Sequence, residues 1–338
     1  LMDSLLSSLD KVLMIIIIGS FAYGLLGDIR SIEQVVLYQN ISYIIAIFIV
    51  TIVLLNTIKS LRISFDWTAS LNILKQGLPY ALLIMLTAVC NKVDVVMLDF
   101  LRDDGAYQSG IYAAGYRFLD AANMFGYLFG ALLLPMYSNS FSNKIPLDEL
   151  FNTSLQVLLI ISIPLTLITS FYGKEIFQMF YTEEYVQHFH ILIMLMLSLV
   201  PILVSHSVGP LLIGAGKLRW LNGIFCVAII MNIVLNYFII PRFGALGSAV
   251  TTLITEVALI ASCFWVVVKI CEVQINKVGI LKICILLIIS FFTLSILSRW
   301  ALMDWMFQVV TFLLLYLMVI LILKFKMLKE MYSLIEKR

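Results

Sequence analysis

Apolar residues in this chain neither alternate nor keep to one face of a helix. They run in long blocks separated by short polar breaks, near 12–27, 41–58, 71–101, 109–137, 153–172, 189–213, 218–240, 245–268, 280–298 and 304–323. A helix needs about 20 such residues to cross the hydrocarbon of a bilayer, so the pattern predicts an all-α polytopic membrane protein with about ten spans. The first block is short, and the third and fourth are long enough to tilt or to project from the membrane. Loops are short, the longest outer one running from about Tyr172 to Gln187, which leaves no room between spans for a soluble domain and weighs against an enzyme.

Composition agrees with the pattern. Of 338 residues, 62% are hydrophobic and 12% charged, with a mean hydropathy of +1.06; a water-soluble domain carries about twice that share of charge. The net charge of +2 points to neither nucleic acid nor acidic partners, but its distribution is uneven. Sorting Lys and Arg by loop puts fifteen on one side, among them Lys75, Lys144, Lys217, Arg219 and Lys269, and five on the other, Arg30, Arg102, Lys174, Arg242 and Arg299. The richer side is cytoplasmic by the positive-inside rule, and it holds both chain ends. The basic tail from Lys324 to Arg338 is then an anchor on anionic lipid. Five scattered cysteines without a CxxC pair read as small apolar core residues.

Charges inside the spans are costly and mark function by default. They gather in the hairpin of the third and fourth spans: Lys92, Asp94 and Asp99 on one, Arg117 and Asp120 on the other. At 1.5 Å per residue, Lys92 and Arg117 lie about 13 and 12 Å below the outer ends of their spans. On a shared face they form a paired cationic site for a phosphate or another acidic group; alternatively Arg117 pairs with Asp120 three residues on, and Lys92 with Asp120 or Asp99. Asp94, Asp120 and Glu256 are candidates for binding a driving proton or sodium ion, Glu256 having a hydrogen-bonded packing role as its alternative. Asn232 and Asn236, four apart, read as interhelical hydrogen bonders. His206 lies between Pro201 and Pro210 and either titrates or is a satisfied core residue; His188 and His190 have no third ligand, so no metal is assigned. No cofactor motif appears.

Three stretches resemble a known family. They are Leu74-Lys75-Gln76-Gly77-Leu78-Pro79 leading to Asn91-Lys92-Val93-Asp94; Gly110-Ile111-Tyr112-Ala113-Ala114-Gly115-Tyr116-Arg117; and Gly214-Ala215-Gly216-Lys217 followed by Asn232-Ile233-Val234-Leu235-Asn236, Ile240-Pro241 and Phe243-Gly244-Ala245-Leu246-Gly247-Ser248-Ala249. Together they resemble Wzx-like polysaccharide flippases of the multidrug/oligosaccharidyl-lipid/polysaccharide exporter superfamily, across most of residues 70–270. The resemblance implies two six-helix lobes around a central cavity, often with two further helices, and alternating-access transfer of a polyprenyl-pyrophosphate-linked glycan between leaflets of the bacterial cytoplasmic membrane. It puts Arg117 at the family's basic position, with Lys92 as a second substrate-binding residue. Residues 1–60 are then the last two helices of an incomplete N-terminal lobe, 61–270 the C-terminal lobe, and 271–338 two additional helices with a cytoplasmic tail; four helices are expected to precede Leu1.

The partners this implies are the lipid-linked glycan, membrane lipids and polysaccharide assembly proteins, with no nucleic acid. Two other readings compete: a cation-coupled drug or small-molecule antiporter of the same superfamily, whose cavity a buried acid should dominate, and a membrane-embedded polysaccharide polymerase or ligase, which would need a large outer loop.

Overall fold

The computed structural model describes residues 9–22, 32–57, 66–182, 186–299 and 304–323. The basic tail expected at 324–338 lies outside them. The described residues form nine helices: α1 Leu9–Ala22, α2 Ile32–Thr57, α3 Trp67–Leu101, α4 Gly105–Ser142, α5 Asp148–Phe180, α6 Phe189–Gly214, α7 Leu218–Lys269, α8 Lys277–Leu297 and α9 Trp305–Leu323. Helix is the only open form whose backbone N–H and C=O groups are all satisfied within one segment, which hydrocarbon demands. Eight of the nine, α2 to α9, are long and apolar enough to cross a membrane. Nine of the ten expected spans fall on these eight, because α7 supplies two; the first expected span overlaps α1, whose 14 residues are fewer than a crossing needs, and its residues 23–27 lie outside the described ones.

A straight helix of 52 residues would be about 78 Å long, more than twice the hydrocarbon thickness. α7 is instead broken at Gly244, where φ is 55° and ψ is −137°. The rings of Trp220 and Trp265 stand 6.2 Å apart, so the arms on either side of the break lie back to back. Gly244 is required twice over: its φ is left-handed, and a Cβ there would come within 2.5 Å of Gln108 Oε1.

The chain divides into two compact units, Leu1–Asn72 and Ile73–Arg338. In the first, α1 packs on α2, where Ser42 and Ala46, one turn apart, are buried. Small residues let helices approach closely where no hydrophobic force drives them together.

In the second unit α6 is the axis, packed by α4, α5 and α7. Leu192, Leu195, Leu199, Leu203, Leu211 and Leu212 along it are fully buried. Glycines of α4 face α6: a Cβ on Gly126 would overlap the His206 ring, and one on Gly130 would meet the His206 carbonyl at 3.2 Å. Hydroxyls join the elements, Tyr137 bonding Ser154 at 2.9 Å and Ser207 at 3.1 Å. α8 and α9 pack on α5, where Tyr316 donates to the Ile160 carbonyl (2.8 Å) and Tyr172, at the kink in α5, to Gln308 Oε1 (2.6 Å).

Each end of this unit is tied by polar side chains. At one end, Arg102 Nε donates to Asp104 (2.6 Å) and its Nη1 to the Pro241 carbonyl (3.2 Å), while Gln108 donates to Asp104 (2.8 Å) and accepts from Ala245 N–H (3.0 Å). The α3–α4 connection therefore clips the break in α7. Arg102 and then Gln108 hold the Asp104 carboxyl down at about 2. At the other end Asn152 donates to the Gln274 carbonyl and accepts from Asn276 N–H, both at 2.8 Å, fixing the α7–α8 connection to the start of α5. Cys90 and Cys263 are buried as the sequence suggests, whereas Cys284 is exposed on α8. An outward thiol costs little where the solvent is itself apolar.

Candidate functional site

The site is built around Asp94, about four turns after Pro79 in α3. The residue is 2% exposed. Tyr112 OH on α4 donates to Oδ2 at 3.1 Å, Thr252 Oγ1 on the second arm of α7 donates to Oδ2 at 3.0 Å, and Asn236 Nδ2 on the first arm donates to Oδ1 at 2.6 Å. Asn236 Nδ2 also reaches Asn232 Oδ1 at 2.9 Å. One carboxylate thus joins three elements, and every group holding it is neutral. No cation lies within ion-pairing distance of it among the described residues.

Two of the helix segments around Asp94 also carry buried oxygens without a partner: Asn236 Oδ1 on the first arm of α7 and Ser248 Oγ on the second have no hydrogen-bond partner among the described residues. Asp94, Asn232, Asn236, Ser248 and Thr252 are all oxygen-bearing residues, the ligand type that suits a small hard cation or a proton. The local sequence places them. Asn232 and Asn236 are one turn apart on the first arm, as are Ser248 and Thr252 on the second, and the break at Gly244 turns the two stripes toward each other.

Beside Asp94 lies a cavity of about 290 Å³ between α3, α4, α6 and both arms of α7. Its polar lining is Thr87, Asn91, Tyr116, Asp120, Asn123, Tyr127, Ser205, His206 and Glu256. Tyr116 stacks on Tyr112 with centroids 5.9 Å apart, so Asp94, Tyr112, Tyr116 and the cavity follow one another. His206 Nε2 bonds Asn123 Oδ1 at 2.8 Å and its ring packs 4.8 Å from that of Tyr127, which makes it a satisfied residue of the cavity wall.

The candidate charges separate by sign. Asp94 is buried next to the cavity, and Asp120 and Glu256 line it. Lys92 and Arg117 do not: Lys92 is exposed, and Arg117, also exposed, borders a shallow groove with Ala113, Phe180 and Tyr181. Neither forms the internal ion pair that the sequence left open, with Asp120 or with Asp99. Helical geometry gives the reason. Lys92 is two residues from Asp94, about 200° around α3, and Arg117 is five from Tyr112, about 140° around α4. His188 meets Tyr107, with 3.4 Å from Nε2 to the hydroxyl.

Sequence reasoning missed Tyr112 and Thr252 as partners of Asp94 and Asn123 as partner of His206. Tyr112 lies in the Gly110–Arg117 motif and Thr252 in a Thr-rich stretch, but neither motif names the residue across the interface.

A family model described as polysaccharide biosynthesis protein matches residues 9–190. The capsular polysaccharide biosynthesis protein CapF of Staphylococcus aureus is 22% identical over 163 residues, which are 48% of this chain and 41% of CapF. This chain therefore matches about two-fifths of the length of that relative. Among solved structures, the lipid II flippase MurJ in an inward closed conformation superposes with a TM-score of 0.65 at 17% identity, over 93% of this chain and 66% of that one. The fold is that of MurJ.

Proposed function

This chain belongs to the polysaccharide biosynthesis protein family, and from that membership we propose that it is part of a flippase. Its substrate is a polyprenyl-pyrophosphate-linked oligosaccharide, moved from the inner to the outer leaflet of the bacterial cytoplasmic membrane for surface polysaccharide synthesis. Residues 1–60 belong to the first lobe, 61–270 form the second lobe, and 271–338 add two helices and a cytoplasmic C-terminus. Polysaccharide assembly proteins act with it. The observation that carries the transport reading is a charged cavity, beside a carboxylate held only by neutral groups, inside a bundle of membrane-crossing helices.

In this reading Asp94 is the coupling group. A buried carboxylate without a cationic partner is stable in hydrocarbon only when a proton or a bound cation neutralises it, or when enough donors surround it. Asp94 has three donors, and the two arms of α7 that supply two of them also carry the unpartnered oxygens of Asn236 and Ser248. Loading a proton or sodium ion draws the two arms of α7 onto α3, and release lets them part. Asp120 and Glu256 hold the acidic lining that excludes pyrophosphate from this cavity. Lys92 and Arg117, exposed on the hairpin's flanks, supply the opposite field and hold the pyrophosphate through charge-assisted contacts.

A second reading has one observation in its favour. The cavity lining contains acids and no Lys or Arg, which suits a cation-coupled antiporter for small cationic molecules. The test expresses the full-length gene in a strain lacking its own flippase, and measures surface polysaccharide together with the inward-facing pool of lipid-linked intermediate. Restored export with a drained pool supports the flippase. Failure with several donor glycans, together with proton- or sodium-driven efflux of a cationic dye, places the antiporter first.

A further inference from the structure

The break at Gly244 that assembles the Asp94 site also leaves a groove on the outside of the unit, between the two arms of α7. It has a volume of about 540 Å³ and lies wholly within α7. Arg219 stands at its mouth, Trp220 and Trp265 flank it, and its floor is apolar apart from Ser262. Along the first arm it runs from Arg219 to Met231. That is twelve residues, about 18 Å, against about 15 Å for the hydrocarbon of one leaflet.

Charge and shape specify one kind of occupant. Lys217 and Arg219 open α7 and Lys269 closes it, so the folding back of the helix brings three cations to one end. None has a carboxylate within ion-pairing distance among the described residues. Arg219 and Lys269 are exposed. Two tryptophans beside them mark the level of the membrane interface, where amphipathic rings collect. A Cβ on Gly223 would meet nothing within 4 Å, so the floor is open to an incoming chain.

We propose that this groove binds one anionic phospholipid of the surrounding membrane. Its phosphate sits on Arg219, with Lys217 and Lys269 beside it, and one acyl chain lies along the floor past Gly223 and Ser262. The site does not depend on what the protein transports. It rests on the groove, the unneutralised cations and the interfacial tryptophan pair together. A lipid there braces the two arms from outside.

The two tryptophans report on the site directly. The chain contains Trp67, Trp220, Trp265, Trp300 and Trp305; replacing Trp67, Trp300 and Trp305 by Phe leaves the pair in the groove. This protein is reconstituted in phosphatidylcholine vesicles with increasing mole fractions of brominated phosphatidylglycerol, or of brominated phosphatidylcholine as the neutral control. Half-maximal quenching is expected at an about fivefold lower mole fraction of the anionic lipid, the contribution of one surface cation. Arg219→Gln brings the two lipids to within about twofold of each other, and Gly223→Leu weakens quenching by both. Inorganic phosphate leaves quenching unchanged. Equal quenching by the two lipids in the parent protein, or an anionic preference that survives Arg219→Gln, overturns the proposal. So does relief of quenching by a polyprenyl phosphate at mole fractions far below those of phosphatidylglycerol, since the groove then belongs to the transported lipid.

Discussion

On its packed side the α3–α4 hairpin holds Asp94, 2% exposed and bound by Tyr112, Thr252 and Asn236, whereas on its open side Lys92 and Arg117 are exposed and unpaired. The same membrane depth therefore treats the two signs of charge differently. A carboxylate on one methylene cannot leave its helix surface, so neighbouring helices must bring donors to it. Lys and Arg carry long apolar stems that let the charged head reach water or a headgroup. A short charged side chain in a span thus points to a packed site, and a long one to an open face.

Removing the packed side should have the largest effect. Asp94→Leu strands three buried donors and is expected to lower stability in detergent by about 3 kcal/mol or more, at about 1–3 kcal/mol for each unpaired group. Asp94→Asn keeps the shape and one acceptor oxygen, for Tyr112 and Thr252, and turns the atom facing Asn236 into a donor that the Asn236 amide can meet by flipping its own oxygen inward. It should fold, yet reduce ion-driven export at least about tenfold, the equivalent of one pKa unit of binding energy. Export by Asp94→Asn at the parent rate would show that the carboxylate is structural.

Next comes the break that builds the packed side. Gly244→Ala puts a Cβ at a left-handed φ and against Gln108, and is expected to cost about 1–3 kcal/mol in thermal unfolding. A Tm equal to that of the parent would mean that the turn is softer than its dihedrals imply.

The open side should answer in function and not in stability. Lys92→Ala and Arg117→Ala are expected to unfold within about 0.5 kcal/mol of the parent, with export reduced about five- to tenfold if each contributes one charge-assisted contact to phosphate. Loss of stability instead would place these side chains in packing contacts.

The smallest effect belongs to the clip at the end of the hairpin. The Asp104 carboxyl is held at about 2 in the folded protein and titrates near about 4 in an unfolded chain. Its contribution is therefore complete above about pH 4 and disappears as pH falls toward about 2. Asp104→Asn should flatten that acid dependence in a pH series of unfolding curves and leave neutral-pH stability almost unchanged, since the group is open to solvent.

How much of this was legible differs by residue. Gly244 was visible within a motif, but nothing adjacent to it says that Gln108, over a hundred residues earlier, fills the space a side chain would need. Asn232 and Asn236 showed their shared face by spacing alone. Their partner Asp94 lies well over a hundred positions away, and only the packing of α3 against α7 joins them. Lys92 and Arg117 were legible as costly intramembrane charges; that they point away from the cavity followed from the rotation of each helix about the Asp94–Tyr112 contact, which spacing along one chain does not report.

The sequence by itself determined the solvent of this protein, its helical form, the approximate spans and the charge sorting between loops, because hydrocarbon imposes these on each segment separately. Only the tertiary structure decided which polar side chains meet. The bend of α7 at Gly244, the rotation of α3 and α4, and the axial place of α6 bring an acid, two amides and two hydroxyls together while leaving the cations outside. Those pairings depend on interactions between segments far apart in the chain, so no single span contains them.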